Sequence, residues 1–270
     1  MCSSDLPPWL GDYTQGLAVR YHEGRQYLVF GTAPPNVALH ENGKLQPVVA
    51  GDQGGDALKR AAVLAGQTPA GVAGYLWTDR NRDGTPQAGE FEFFTKPMPR
   101  APKQQATVGA DFTLLNASSI GTPEGDAVCL MRLAPRGWTN GVPEYPTTWQ
   151  EAARKTFPKG DGYESYGVFQ HGDDRYALLI QNRDYQGTGW PTERNGKVRF
   201  LKFDRPGQPG WAVGRHASAL PGNPGEFHEP TGFMGALRGV VVACDRSVRP
   251  GLAWTEDGLY AGSFLDHRAQ

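Results

Sequence analysis

Residues 17–50 read LAVRYHEGRQYLVFGTAPPNVALHENGKLQPVVA, and this stretch decides the fold. Asn42-Gly43 supplies the positive φ angles that a two-residue type I′ hairpin requires. The near-continuous apolar run Tyr27–Phe30 predicts a strand that is covered on both faces. We therefore predict a four-stranded antiparallel unit, because turn signals separate short apolar segments at 17–21, 26–30, 37–40 and 44–50.

The same order of strands returns along the chain. Copies lie at 166–215 and 231–265, and a looser one runs from about 106 to 147. When the copies are aligned, a strand is expected on each side of Gly43, Gly141, Gly207 and Gly258. This is an internal repeat by strand order rather than by strict spacing, because loops of different length intervene. Such units must stack on one another, since one unit cannot bury its own faces.

The repeat predicts an all-β chain with the fold of a β-propeller, in which four-stranded antiparallel blades form a ring. Propellers close with roughly 4 to 8 blades. We therefore expect residues 15–270 to hold four to five blades of a larger ring, and we interpret residues 1–14 as a non-native or linker segment.

Residues 52–104 fit the repeat least well, and we interpret them as a fifth, decorated blade. A short helix is expected over 56–65 with Asp56 as its N-cap. Two strands are expected at 72–77 and 91–94, on either side of a polar loop.

Two runs in the repeat resemble a known family. Residues 202–214 read KFDRPGQPGWAVG and residues 254–262 read WTEDGLYAG. They are similar to the ends of NHL-type and related bacterial propeller repeats, where Asp and Gly precede a final apolar strand. The resemblance implies a propeller scaffold, and because members include binding modules, lactonases and quinoproteins, it fixes no activity. The Glu-Gly-Pro-x-Trp-like metal motif of the lactonases is absent, and 204–211 approximates the quinoprotein motif only once.

One motif carries recognisable chemistry, and it lies in the polar loop. Residues 79–90 read DRNRDGTPQAGE, which fits the twelve-residue calcium-loop pattern. Gly84 makes the sharp bend, and Glu90 is expected to close the cage with both oxygens. The other ligands predicted from the spacing are Asp79, Asn81, Asp83, the carbonyl of Thr85 and Gln87.

The flanks of this loop differ from those of an EF-hand. Residues 74–77 and 91–94 read as strands rather than helices, and Pro86 occupies the position that normally pairs two hands. We therefore expect a structural Ca²⁺ ion rather than a sensor, since no helix pair is present to open. The alternative is a solvated turn that binds nothing.

Composition excludes several classes of function. Lys and Arg number 27 against 28 Asp and Glu, so no basic field points to nucleic acid. No apolar stretch is long enough to span a bilayer, and no signal peptide opens the chain. The three cysteines, Cys2, Cys129 and Cys244, lie too far apart for a disulfide framework, and we expect the last two to be buried thiols.

A few polar and aromatic residues are candidates for ligand binding. His171 lies near Asp173 and Asp174, and His228 lies between two glutamates, and each group could contribute to a site, although a solvated polar loop is the favoured interpretation of both. Trp190 falls in a Gly/Pro-rich loop, where an exposed ring could stack on a sugar. Trp138 and Trp149 are in similar loops, and the alternative for all three is packing between blades.

The sequence supports two classes of function. The first is a calcium-stabilised recognition module of a bacterial secreted or periplasmic protein, which binds carbohydrate or protein and is part of a larger polypeptide. The second is a propeller enzyme, a hydrolase or lyase, with its active site at the mouth of the central channel. No Gly-x-Ser-x-Gly or Ser-x-x-Lys motif supports nucleophilic hydrolysis.

Overall fold

The computed structural model of the protein describes residues 17–98, 107–121, 123, 125–157, 163–181, 198–213, 230–245 and 251–264. The segment 1–14 that we interpret as non-native or linker lies outside this range. The chain divides into two compact units, residues 1–116 with 131–150 and residues 117–130 with 151–270.

The first unit contains a six-stranded antiparallel sheet whose strands follow chain order. The Asn42-Gly43 turn has φ angles of 53° and 73°, as the type I′ hairpin requires. All four strands expected within 17–50 are confirmed. The strands of this sheet are β1 (Leu17–His22), β2 (Arg25–Phe30), β3 (Asn36–Glu41), β4 (Lys44–Asp52), β5 (Gly74–Thr78) and β6 (Phe91–Phe94).

The prediction that 52–104 forms a separate fifth blade is wrong. β4 is long enough to pair with β3 through its first part and with β5 through residues 49–52, so β5 and β6 extend the first sheet. The expected helix is present as α1 (Gly55–Leu64), but its N-cap is Gly54. Asp56 lies in the first turn of the helix, where its carboxylate pairs with Lys59 at 2.9 Å.

The second sheet shows that the strand order predicted for the looser copy of the repeat, at about 106–147, is wrong in part. Its four strands are β7 (Thr107–Val108), β8 (Leu114–Gly121), β9 (Asp126–Leu133) and β12 (Gln150–Phe157). Asn140-Gly141 turns a separate two-stranded hairpin, β10 (Gly137–Thr139) with β11 (Val142–Glu144), which is inserted before the fourth strand. The sequence signal for the hairpin was therefore correct, but its place in the blade was not. The boundary between the two units passes through β8 and β9.

Two further four-stranded antiparallel sheets follow chain order in the second unit. One contains β13 (Tyr163–His171), β14 (Asp174–Gln181), β15 (Val198–Lys202) and β16 (Trp211–Val213). The other contains β17 (Pro230–Leu237), β18 (Val240–Asp245), β19 (Gly251–Thr255) and β20 (Tyr260–Phe264). The predicted fold class, all-β and built from four-stranded antiparallel blades of the propeller kind, is confirmed by these two sheets and the second sheet, while the first sheet has six strands and one short helix is present.

The second strands β2, β14 and β18 each have antiparallel partners on both edges, as predicted. The burial of β2 is less complete than a strand covered on both faces would show. In β2, Tyr27 and Val29 are fully buried while Leu28 and Phe30 are partly exposed. One face therefore carries the core, and the other is only partly covered.

Apolar side chains from these strands supply the main driving force for folding, because their burial removes hydrocarbon surface from water. In the first unit, Tyr27, Phe112 and Trp149 belong to one cluster, and Tyr75 and Trp77 pack with α1 in another. The cluster of the second unit is built around Tyr176, Phe200, Val241, Ala243, Leu252 and Trp254.

Cys129 is a buried free thiol, as expected, whereas the side chain of Cys244 lies outside the described part of the structure. Within the described residues, no helix combines the length and apolar character needed to cross a membrane.

Candidate metal site

The loop 79–90 connects β5 to β6, so two paired strands fix its ends. This confirms that strands flank the loop. The backbone N–H of Asp79 donates to the carbonyl of Val48 on β4 at 2.9 Å, which ties the first residue of the loop to the sheet. Arg82 and Gly84 both have positive φ, at 62° and 71°, and they make the bend that the motif requires.

Asp79 is the buried member of the loop, with an exposed fraction of 0%. Its Oδ2 accepts the backbone N–H of Gly84 at 3.0 Å and the amide of Gln46 at 3.3 Å. Its Oδ1 is buried and has no hydrogen-bond partner among the described residues. Burial raises the pKa of this carboxyl, the Gly84 hydrogen bond opposes the shift, and the charges of Glu90 and Asp83 add to it.

The next ligand candidates are exposed and bond to one another. Asn81 Oδ1 accepts the backbone N–H of Asp83 at 3.0 Å. Asp83 in turn accepts the N–H of Thr85 at 2.7 Å on Oδ1, and the side-chain amides of Asn81 and Gln87 at 2.9 and 2.7 Å on Oδ2. These bonds fold the middle of the loop around the Asp83 carboxylate.

Glu90 is used differently from the prediction that it closes a cage with both oxygens. Its Oε2 accepts the indole N–H of Trp77 at 3.0 Å and the backbone N–H of Gln87 at 3.2 Å. Its Oε1 accepts the backbone N–H of Arg80 at 3.1 Å. Since a carboxylate oxygen has about two acceptor positions, Oε2 is fully used, and the free position is on Oε1.

The two arginines of the loop turn away from its carboxylates. Arg80 pairs with Glu92 at 3.1 Å and with Glu144 at 3.7 Å, and Arg82 pairs with Glu41 at 2.5 Å. Within the described part of the chain, Asp79, Asp83 and Glu90 make no ion pair with Lys, Arg or His. The loop therefore holds three carboxylates that no Lys, Arg or His of the described residues neutralises.

The predicted convergence of the ligand set on one point is not present. Across the described residues, no three His, Cys, Asp or Glu side chains are grouped closely enough to hold a metal. By donor chemistry, however, the loop fits a hard divalent cation, because it offers carboxylate, amide and carbonyl oxygens. The unpartnered buried oxygen of Asp79 is the strongest sign of this fit.

Of the other residues predicted to bind a ligand, only His171 lies in the described part of the structure. His171 is the last residue of β13 and lies at an exposed turn. Its neighbour Asp174 is buried and forms an ion pair with Lys202. Trp190 and His228 lie outside the described residues. Trp149 is a core residue, as the packing alternative expects, and the half-buried Trp138 stacks on His22 at 3.6 Å between ring centroids.

Sequence reasoning missed a buried ion pair in the second unit. Lys202 Nζ lies 2.8 Å from Asp174 Oδ2, and the two side chains are only 5% and 8% exposed. Lys202 also donates to the carbonyl of Glu256 at 3.0 Å, and Arg205 Nε lies 3.1 Å from Asp174 Oδ1. The signal was a lysine inside the apolar run 200–203, where a charge needs a partner.

No family model matches the chain, and a search of curated proteins finds no match. Among solved structures, the chain is similar to an exo-1,5-α-L-arabinanase from a bovine ruminal metagenomic library, at 12% identity and a TM-score of 0.28. The alignment covers 92% of this chain and 96% of that one. A likeness this distant carries no inference about activity.

Proposed function

We propose that this chain is a calcium-stabilised β-propeller scaffold, related to NHL-type repeats, that serves as a recognition module of an extracytoplasmic bacterial protein. The carrying observation is the charge balance of the loop 79–90, where three carboxylates make no ion pair with any described residue and one of them is fully buried. The charges of Glu90 and Asp83 act on the buried carboxyl of Asp79, and this repulsion raises the free energy of the folded state unless a cation compensates it. A bound Ca²⁺ ion supplies that compensation.

The residues that would hold the ion are those of the motif. Asp79 would contribute its unpartnered Oδ1, and Glu90 would contribute through Oε1. Asn81, Asp83, the carbonyl of Thr85 and Gln87 complete the oxygen donors. The ion supplies positive charge and fixes the connection between β5 and β6, so its role in this proposal is structural.

The proposal extends to the location of the protein and to its ligand. Loops of modest affinity stay occupied outside the cytoplasm, where the calcium concentration is millimolar, and this supports a secreted or periplasmic location. The ligand of the scaffold is proposed to be carbohydrate or protein. No contact among the described residues favours the hydrolase or lyase alternative.

Asp79→Asn should change stability in opposite directions with and without calcium. In chelator, the variant should be at least as stable as the unmodified chain, because an uncharged side chain replaces a buried carboxylate with an unpartnered oxygen. In calcium at about 100 times the Kd, the unmodified chain should gain about 2.7 kcal/mol, and the variant should lose most of that gain. Thermal unfolding of both proteins in calcium and in chelator measures this.

Asp56→Asn is the matched control, since Asp56 is an exposed aspartate on α1 that pairs with Lys59. It should shift the melting temperature equally in both buffers. If Asp79→Asn also gives equal shifts in calcium and chelator, the loop does not bind the ion.

A further inference from the structure

The guanidinium of Arg80 donates from NH1 to the carbonyl of Gly89 in the loop at 3.1 Å, and its other nitrogens contact side chains that are distant in sequence. Glu92 on β6 lies 3.1 Å from its NH2 group, and Glu144 on β11 lies 3.7 Å from its Nε. Arg136 contacts the same two glutamates, Glu92 through NH2 and Glu144 through Nε at 3.8 Å. We call Glu92, Arg136 and Glu144 the clamp. Each clamp glutamate thus touches both arginines, and each arginine touches both glutamates.

The hairpin β10–β11 fixes this arrangement from two directions. The hydroxyl of Thr139 donates to Glu144 Oε1 at 2.5 Å, which orients that carboxylate. The side-chain amide of Asn140 donates to the backbone carbonyl of Arg80 at 2.8 Å. Both the backbone and the side chain of Arg80 are therefore tied to the hairpin.

Arg80 would otherwise compete with a metal ion. It follows Asp79 directly in the chain, and its own backbone N–H donates to Glu90 Oε1 at 3.1 Å. A guanidinium with no other partner would be attracted to these uncompensated carboxylates, because charge-assisted pairs with carboxylates are strong. Such a pair would occupy the oxygen atoms that a cation needs.

We propose that the clamp sets the cation affinity of the loop 79–90 by holding the Arg80 guanidinium away from its carboxylates. Glu92 and Glu144 are positioning residues, because they act through Arg80 and not on the ion. This inference rests on the proposed calcium site. By this inference, residues of β6 and of the inserted hairpin β10–β11 also affect cation binding, whereas the motif alone includes only twelve consecutive residues.

The test is isothermal titration of the full chain, freed of metal with chelator, with CaCl₂. Glu92→Gln/Glu144→Gln should weaken calcium binding by roughly tenfold, since Arg80 loses both of its ion pairs and keeps only its hydrogen bond to the Gly89 carbonyl, next to Glu90. Adding Arg80→Gln to that variant should restore the affinity to at least that of the unmodified chain. The restoration is the decisive readout, because the triple variant has the same glutamates missing but no arginine to compete.

Glu151→Gln is the control, as Glu151 pairs with Arg154 on β12 at similar exposure and has no place in the loop. It should leave the affinity unchanged. The single variants Glu92→Gln and Glu144→Gln should each give part of the loss, with the same rescue by Arg80→Gln, and circular dichroism in chelator checks that every variant is folded.

Two results would overturn the inference. If the triple variant binds as weakly as the double variant, the loss comes from the missing negative charge and the clamp has no positioning role. If the double variant binds as tightly as the unmodified chain, Arg80 does not compete. An unmodified chain that takes up no calcium overturns the proposed function itself, and the clamp with it.

Discussion

Lys202→Met should lower the free energy of unfolding by about 3–5 kcal/mol, because it leaves the buried carboxylate of Asp174 without its closest cation. The Lys202 ammonium lies 2.8 Å from Asp174 Oδ2 and 3.0 Å from the Glu256 carbonyl. The Glu256 carbonyl keeps the indole N–H of Trp211 at 2.8 Å, and Asp174 Oδ2 keeps only the longer hydrogen bond from the Tyr176 hydroxyl at 3.4 Å, so the main loss is the buried charge pair. Arg205 stays near Asp174 at 3.1 Å and offsets part of the loss. Urea unfolding of the variant and the unmodified chain measures the difference.

The charge explanation can be separated from packing by a second substitution. Adding Asp174→Leu to Lys202→Met removes the orphaned charge, so the double variant should recover most of the lost stability. Lys155→Met is the control, since Lys155 pairs with Asp204 at 3.5 Å and both side chains are partly exposed. It should cost less than about 1 kcal/mol. If Lys155→Met lowers the free energy of unfolding as much as Lys202→Met does, burial of the Lys202 ion pair does not explain the loss.

Trp77→Ala should lower the free energy of unfolding by about 3–5 kcal/mol, the usual cost of emptying a large buried aromatic site. Trp77 is 0% exposed and packs with α1 and β6. Its indole N–H also donates to Glu90 Oε2 at 3.0 Å, which links the core to the last position of the loop. Unfolding in chelator isolates this effect from any bound ion.

Trp77→Phe is the informative comparison. It keeps most of the apolar volume but removes the indole N–H, so we expect a smaller loss of about 1–3 kcal/mol. Glu90 keeps the backbone donors of Gln87 and Arg80. If the alanine variant loses no more than the phenylalanine variant, the tryptophan is not a core residue of this unit.

Local signals predicted the hairpins because turn chemistry acts over a few residues. Asn42-Gly43 and Asn140-Gly141 both turn hairpins with positive φ angles, as the dipeptides indicate. The sequence was a poorer guide to which sheet each strand joins. β5 and β6 join the first sheet because β5 pairs with residues 49–52 of β4, on the edge that β3 leaves free. The pattern of apolar residues in 52–104 does not show which strand edge each of these strands will pair with.

In the candidate metal site, too, the sequence predicted the local features but not the contacts with residues that are distant in the chain. The spacing of Asp79, Gly84 and Glu90 marks the loop, and the structure gives it the expected bend. The direction of Arg80 and Arg82 was not predictable, because their partners are Glu92, Glu144 and Glu41, and contacts between distant strands bring these together. Lys202 and Asp174 pair for the same reason, across adjacent strands β15 and β14.

The direct test of the account is the number of calcium ions that the unmodified chain binds. After removal of metal with chelator, titration with CaCl₂ should show one saturable site for each chain. Glu90→Gln should weaken that site, since the substitution removes one of three uncompensated carboxylates. If the unmodified chain shows no saturable calcium binding at millimolar concentration, then the loop 79–90 is an ordinary turn and the proposed calcium-stabilised scaffold is wrong.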